Sequence, residues 1–246
     1  IRGANDALIL DAGLALRETM RRPALAGGAP SILQGILLTH EHADHIRGSA
    51  ALSRRFDVPI FGTQGTLEWF LQDRCASGVP DLRGCRIGER FTVGDFTVEP
   101  FATSHDAREP CGYRITEGGA TLSYCTDTGR ISPSILERIR DSDALVLESN
   151  HCPHMLRNGP YPEMLKRRIR SSRGHLSNQD ARECIRAVGA DMQAIVLAHL
   201  SEVNNTAEKA VNSALEGLGL GRFNSRDLYA IPGGDRCDCW MRWVEI

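Results

Sequence analysis

The sequence lacks long apolar runs, since no stretch approaches the roughly eighteen residues that a membrane-spanning helix needs. The segment from Ile1 to Asp6 is polar and has no apolar core of the kind found in a signal peptide. We therefore expect a cytoplasmic protein with no membrane partner. The sequence also lacks a large excess of charge of either sign, since its formal net charge is only −2. This net charge neither demands nor excludes a nucleic-acid partner.

The eight cysteines lack the spacing of a disulfide framework. They are scattered, and several lie in apolar strand patterns, as Cys125 does in Leu122–Cys125. Buried thiols in a reducing cytosol are the prediction. Cys237 and Cys239 have no second cysteine pair at zinc-finger spacing, so we predict a structural role for them.

Short apolar runs alternate along the chain with segments of helical periodicity. This alternation has no strict β–α–β regularity, which favours an α/β fold of two sheets with helices outside. No repeat, linker or boundary is visible, so one domain over 1–246 is expected. Predicted strands cover 7–10, 36–39, 58–61, 144–147 and 194–198, with hairpins at 91–98 and at 112–115 with 121–124. Predicted helices cover 46–55, 64–73, 131–140, 161–171, 177–188 and 206–218, the last two capped by Ser177 or Asn178 and by Asn205 or Thr206.

Three histidines and an aspartate fall in the segment His40-Glu41-His42-Ala43-Asp44-His45, directly after a predicted strand. Imidazole and carboxylate are common metal ligands. A loop that leaves a strand can turn alternate side chains to one point, so His40 and His42 can face one ion, and Asp44 and His45 a second. A polar loop without metal is the alternative, but three histidines this close would repel one another when charged and would serve no packing purpose.

Further ligands are expected at other strand ends, where active sites on sheets draw their residues. His105, Asp127 and His199 each stand where an apolar run meets a polar loop. Each one alone would more often be an ordinary loop residue. Their shared position favours a functional interpretation.

The pattern His-x-His-x-Asp-His, followed by an isolated His, Asp and His, resembles the metallo-β-lactamase superfamily over residues 8 to about 201. The segment Leu8–Gly13 resembles its aspartate motif. The resemblance implies a four-layer αββα sandwich of the metallo-β-lactamase type holding two divalent ions, for which the ligand chemistry admits Zn²⁺ or Mn²⁺. It assigns His40, His42 and His105 to the first ion and Asp44, His45 and His199 to the second, with Asp127 as bridge and Asp11 orienting a ligand histidine.

Local differences narrow the choice within that superfamily. His42 stands where diiron oxidoreductases carry an acidic residue, and Asp127 stands where many true β-lactamases use cysteine. Residues 127 to 199 leave no room for the inserted domain of β-CASP nucleases. Leu147–His151 and Gly174–Ala181 resemble two motifs of ribonuclease Z, which implies that His175 lies by the scissile phosphate and is supported by Glu148.

Longer strings resemble the YycJ/WalJ subgroup, and they lie at Ser104–Tyr113, Glu148–His151, Lys166–Asn178 and His199–Asn205. They imply a 5′→3′ exonuclease acting on DNA. We expect two ions to share a bridging hydroxide that attacks phosphorus, Asp44 or Asp127 to accept a proton, and His175 to act as general acid. The alternatives are a ribonuclease, a hydrolase of a small ester, thioester or lactam on the same metals, or a metal-binding scaffold without turnover.

Candidate substrate-binding residues lie near the motif that contains His175. The basic segment, Lys166 to Arg173, leads directly into His175. It would attract a phosphodiester backbone, although a solvated helix face is the alternative. His151 lies in a loop expected to line the substrate pocket, and Asn204 and Asn205 can donate to phosphate or cap the following helix. The complete set is Lys166, Arg167, Arg168, Arg170, Arg173, His151, Ser201, Asn204 and Asn205.

Overall fold

The computed structural model describes residues 1–25, 32–72, 78–219 and 228–232. The chain comprises two compact units. Within the described residues, the first unit contains 1–102 and 107–119, and the second contains 103–106 and the residues from 120 onward. Strands in two sheets together with helices confirm the predicted mixed α/β class. The assignment of one domain to 1–246 stays a prediction.

The first unit contains a parallel four-stranded sheet whose middle strands are buried on both faces. Its order is β1 (Ala7–Leu10), β2 (Leu33–Leu37), β3 (Ile60–Thr63) and β4 (Leu82–Cys85). Successive side chains of a strand point to opposite faces, so Ile36 joins one apolar cluster while Leu37 joins another. The helices of this unit are α1 (Leu16–Leu25), α2 (Ala43–Ile46), α3 (Ser49–Phe56) and α4 (Gln64–Gln72).

An antiparallel set completes the described strands of the first unit: β5 (Phe91–Val93), β6 (Phe96–Ala102) and β7 (Cys111–Glu117). The predicted hairpin at 91–98 is confirmed, and its turn lies at Gly94, since Val93 pairs with Phe96. Gly94 has a φ of 56°, and a Cβ there would lie 2.1 Å from the Asp6 carboxylate. Only glycine suits both conditions.

The second unit is built on parallel strands in the order β8 (Ala120–Cys125), β9 (Ala144–Glu148), β10 (Ala194–Leu200) and β11 (Leu228–Pro232). Its helices are α5 (Pro133–Ile139), α6 (Pro153–Asn158), α7 (Glu163–Ile169), α8 (Asn178–Val188) and α9 (Ala207–Leu218). Ser177 and Thr206 cap α8 and α9 by accepting hydrogen bonds from the backbone N–H groups of Asp180 and Lys209.

Most predicted elements are confirmed with shifts of a few residues, but α1, α2, α6, β4 and β11 were not predicted. α2 places Asp44 and His45 on a short helix, where a loop was predicted. α6 has only six residues, too few for a clear helical period. Four described cysteines are buried thiols, as predicted: Cys85, Cys111, Cys125 and Cys184. Cys237 and Cys239 lie outside the described residues. Among the described helices, none has the length and apolar character needed to cross a membrane.

Candidate metal centre

In the first unit, Asp11 binds the start of the segment His40–His45, which we call the histidine loop. It directly follows β1, and β1 is paired with β2, which leads into the loop. The backbone N–H of Thr39 donates to one oxygen of Asp11, and the Thr39 hydroxyl donates to the other, both at 2.8 Å. Asp11 has a φ of 51°, a left-handed conformation that is uncommon outside glycine and concentrates at functional sites. The carboxylate therefore holds the start of the loop at two points.

The imidazoles of this loop are packed together. His45 Nδ1 lies 2.8 Å from Asp11 Oδ2, and its Nε2 lies 3.7 Å from Asp44 Oδ2. His40 Nε2 lies 2.9 Å from His42 Nδ1, and the ring centroids of His40 and His45 are 4.1 Å apart. The structure thus places Asp11 against His45, where it sets the orientation of the ring. Ring nitrogens gathered this closely suit binding to a cation, since neutral imidazole is a common metal ligand.

A close backbone contact explains why glycine occupies position 13 in the segment Asp11-Ala12-Gly13. A Cβ at Gly13 would lie 1.5 Å from the backbone oxygen of Asp44. The Ala12 N–H donates to the His45 carbonyl at 2.6 Å. The two backbone segments are therefore in direct contact, and only glycine permits the approach. Sequence reasoning identified the motif but missed this steric requirement.

In the second unit, the candidate residues lie at the carboxyl ends of adjacent parallel strands. Asp127 follows β8, Glu148 ends β9, and His199 lies near the end of β10. Such strand ends are the usual location of ligand sites in parallel sheets. Asp127 and His199 have φ values of 53° and 57°, so both adopt the left-handed conformation found at Asp11. Strained backbone at three candidate residues supports a functional interpretation.

These strand ends converge with His175 on one point. Glu148 Oε1 lies 2.7 Å from His175 Nδ1 and 3.1 Å from His199 Nδ1, while Glu148 Oε2 accepts from the Thr128 N–H at 2.8 Å. Asp127 Oδ1 lies 3.7 Å from His175 Nδ1 and 3.6 Å from His199 Nδ1. One potential ligand atom from each of Asp127, Glu148, His175 and His199 lies within 4.8 Å of the others. Two carboxylates and two imidazoles form a donor set that fits a divalent cation.

The environment of Glu148 and His175 couples their protonation. Burial favours a raised pKa for Glu148, but the hydrogen bonds from His175 and His199 bring that pKa below its ordinary value. Burial favours a lowered pKa for His175, but the hydrogen bond and charge of Glu148 raise that pKa above its ordinary value. The pair therefore favours a protonated imidazole beside an ionised carboxylate.

His105 presents a neutral ring to this cluster. Burial is the largest cause of its lowered pKa. Its Nδ1 lies 3.0 Å from the carbonyl oxygen of Gly174, so Nδ1 carries the proton and donates it. Its Nε2 lies 3.6 Å from Asp127 Oδ1. A backbone carbonyl that fixes the tautomer in this way is the usual support of a metal-ligating histidine.

The basic segment carries exposed cations that already have carboxylate or carbonyl partners. Arg168 donates to Asp106 at 2.6 Å, and Arg170 donates to Glu163 at 2.8 Å. Arg167 Nε lies 3.6 Å from the same Glu163 carboxylate. Lys166 donates to the Arg157 carbonyl at 2.9 Å, and Arg173 donates to the His105 carbonyl at 3.1 Å. The positive field of the segment is therefore partly neutralised, and binding of phosphate by it stays a prediction.

The remaining candidates lie in buried loops. His151 is buried, and burial is the main cause that lowers its pKa to about 4, so its ring is neutral at pH 7. Asn205 Nδ2 donates to the Ser149 carbonyl at 2.7 Å, and the Ser201 hydroxyl accepts from the N–H of the buried Asn204. These contacts hold the loops after β9 and β10. Their roles toward substrate stay predictions.

Comparison with known families bears directly on these motifs. The family model described as a beta-lactamase superfamily domain matches residues 7–200. The chain belongs to the metallo-β-lactamase superfamily. The two-sheet α/β fold is the one that the resemblance to this superfamily predicted. The protein is a metal-dependent hydrolase. The cluster of Asp127, Glu148, His175 and His199 in the second unit agrees with divalent metal binding.

Relatives within this metallo-β-lactamase group include nucleases. "Exodeoxyribonuclease YycJ" of Bacillus anthracis is 39% identical over 220 residues, covering 87% of this chain and 83% of the relative. "Exodeoxyribonuclease WalJ" of Streptococcus pneumoniae is 35% identical over 206 residues, covering 82% and 77%. The crystal structure of the metallo-β-lactamase fold protein YhfI from Bacillus subtilis aligns with a TM-score of 0.70 at 19% identity, covering 95% of this chain and 88% of that one. The short form of human tRNase Z aligns with a TM-score of 0.61 at 16% identity, covering 82% and 85%.

Proposed function

We propose that this protein is a 5′→3′ exonuclease that hydrolyses the phosphodiester bonds of DNA. The observation that carries the proposal is the contact between Glu148 Oε1 and His175 Nδ1 at 2.7 Å, beside Asp127 and His199. A protonated histidine held by a buried carboxylate is suited to a leaving group that needs a proton, as a sugar oxygen does. The two exodeoxyribonuclease relatives support DNA as the substrate.

The proposed metal ligands are those named by motif position. Imidazole with carboxylate suits Zn²⁺, and a carboxylate-rich cluster also admits Mn²⁺. When bound, two divalent ions supply Lewis-acid activation of water and stabilise the charge that gathers on the phosphate. The ligand set is His40, His42, Asp44, His45, His105, Asp127 and His199.

The side chains of the chain have distinct proposed roles in proton transfer. Asp44 or Asp127 accepts the proton that the attacking water releases. His175 contacts Glu148 through Nδ1, so its Nε2 is the nitrogen that protonates the departing oxygen. A positioned acid of this kind typically contributes about 10²–10⁴-fold to the rate. Glu148 acts as a positioning residue that holds the ring and favours its protonated form.

The basic segment is proposed to contact the DNA backbone. Arg167, Arg168 and Arg170 belong to α7 or follow it directly, and all three are exposed. Phosphate oxygens can replace the carboxylates of Glu163 and Asp106 as partners of these arginines. Phosphate and carboxylate groups alike accept two hydrogen bonds from one guanidinium. The segment would then be the sequence-independent part of substrate binding.

Digestion of blocked oligonucleotides tests the proposal. DNA and RNA strands, single and double, would carry nuclease-resistant phosphorothioate linkages at the 5′ end, at the 3′ end or at neither, and would be incubated with Zn²⁺ or Mn²⁺. We expect mononucleotide release from DNA that a 5′ block stops and a 3′ block does not. Digestion of RNA alone would identify a ribonuclease. Turnover of small esters, thioesters or lactams without any action on nucleic acid would overturn the proposal.

A further inference from the structure

A cavity of about 540 Å³ opens in the first unit beside the histidine loop. Its volume lies in the range of small-molecule sites, roughly 300–1,000 Å³. Glu41 and His42 contribute to its lining, and so does the aromatic ring of Trp69. The lining residues are Glu41, His42, Ala43, Ile46, Arg47, Trp69 and Arg108.

Trp69 and Arg108 form an exposed pair in this cavity, with the guanidinium over the indole ring. Trp69 is 44% exposed on α4, although a large aromatic ring is ordinarily buried. The guanidinium carbon of Arg108 lies 5.1 Å from the centroid of the indole ring. An indole with an adjacent guanidinium is the combination on which nucleobases stack without regard to their identity.

Glu41 supplies a polar group in the wall. It is 8% exposed, and its Oε1 accepts a hydrogen bond from the Arg108 N–H at 2.8 Å. Its Oε2 is buried and has no hydrogen-bond partner among the described residues. The hydrogen bond to Oε1 joins the backbone of Arg108 to the segment that contains Glu41 and His42, and so fixes the position of Arg108 in the cavity.

The charge around the cavity suits the same ligand. Arg47 and Arg108 are exposed cations in its lining, and both can contact the phosphates that flank a base. His42, a proposed metal ligand, lies in the same wall. A base held here would therefore lie beside a proposed metal ligand of the same unit.

We propose that this cavity binds a nucleobase of the substrate strand, which stacks on the Trp69–Arg108 pair, while Arg47 and Arg108 are available to the flanking phosphates. The inference rests on the proposed nuclease function and adds a base-stacking subsite to it. Because the contact is made by stacking, it holds the strand without reading a particular sequence.

The first test measures binding without turnover. With metals chelated, the dissociation constant of a labelled single-stranded DNA would be measured by fluorescence anisotropy. Trp69→Ala should weaken binding roughly 5- to 150-fold, the usual worth of one base–aromatic stack. Trp69→Phe should retain most of the affinity, because a smaller ring still stacks. Leu71→Ala is the matched control, since Leu71 is 62% exposed on the same helix and outside the cavity lining.

The second test locates the base along the strand. Substrates with one abasic position, moved stepwise from the 5′ end, would be cleaved by the wild-type protein. We expect one position at which loss of the base slows cleavage, and we expect Trp69→Ala to remove this position dependence. Equal sensitivity at all positions, or a Trp69→Ala variant with wild-type affinity and wild-type position dependence, would overturn the subsite.

Failure of the nuclease proposal has a different signature. If the wild-type protein cleaves no nucleic acid, quenching of its tryptophan fluorescence by deoxynucleoside monophosphates still reports on the cavity. Quenching that Trp69→Ala abolishes would support base binding while the nuclease assignment fell. Absence of quenching in a protein that also cleaves nothing would overturn both.

Discussion

Removal of the His175 imidazole should separate protonation of the leaving group from all other parts of the reaction. The side chain of His175 is only 21% exposed, so the melting temperature of His175→Ala would be compared with that of the wild type before the rates are interpreted. If the proposed role is right, the variant should retain its metal content and bind DNA nearly as tightly as the wild type. Cleavage of an ordinary phosphodiester should fall by roughly 10²–10⁴-fold.

The structure also sets the size of the effect at Glu148. Its Oε2 accepts from the Thr128 N–H, so in Glu148→Gln the amide oxygen should keep that bond and the amide nitrogen should turn toward His175. The substituted group would donate to Nδ1 instead of accepting from it, which removes a charged hydrogen bond worth about 1.5–3 kcal/mol. The rate should therefore fall about 10- to 150-fold, less than in His175→Ala, because the ring remains present.

The assay compares two leaving groups under single-turnover conditions. One substrate is a DNA oligonucleotide, whose departing sugar oxygen needs a proton, and the other is a p-nitrophenyl phosphodiester, whose phenolate leaves without one. His175→Ala should slow the first strongly and the second far less. His154→Ala is the matched control, because this exposed histidine on α6 contacts Asn158 and should leave both rates unchanged.

Two results would refute the reasoning. Equal losses on both substrates would mean that His175 holds the substrate and does not protonate the leaving group. Loss of a metal ion in the variant would make His175 a ligand, in line with its place among Asp127, Glu148 and His199, and the ligand set would need to be redrawn.

Further predictions concern the metals, the basic segment and the loop packing. Elemental analysis after loading should approach two ions per chain, and His42→Ala should lower that content and the activity together; full activity in the variant would contradict the ligand set. Replacing Arg167, Arg168 and Arg170 by alanine should flatten the salt dependence of DNA binding by about one unit of log–log slope per lost phosphate contact, and an unchanged slope would identify a solvated face. Gly13→Ala should lower the free energy of unfolding by roughly 1–3 kcal/mol or more, because its Cβ must displace the contacting backbone; a melting temperature equal to the wild type would refute this contact.

The sequence by itself determined the local features of this protein. Apolar periodicity located most strands and helices, and the short polar side chains of Ser177 and Thr206 marked helix starts. Both signals act within a few residues, so they can be detected without knowledge of the fold. The segment His40–His45 was apparent for the same reason, since its candidate ligands are neighbours in the chain. Its link to Asp11 came from the family motif, and the structure places Asp11 on His45 across 34 residues.

Only the tertiary structure decided which distant side chains meet. Glu148 was expected to support His175, but its contact with His199 across 51 residues depends on β9 and β10 being parallel neighbours. The sequence did not indicate any carboxylate partner for the basic segment, whereas Arg168 pairs with Asp106 from 62 residues away. Trp69 gave no functional signal until α4 placed it beside Arg108. These contacts depend on strand order and register, which local propensity leaves open, because side chains far apart in sequence interact only after packing has brought them together.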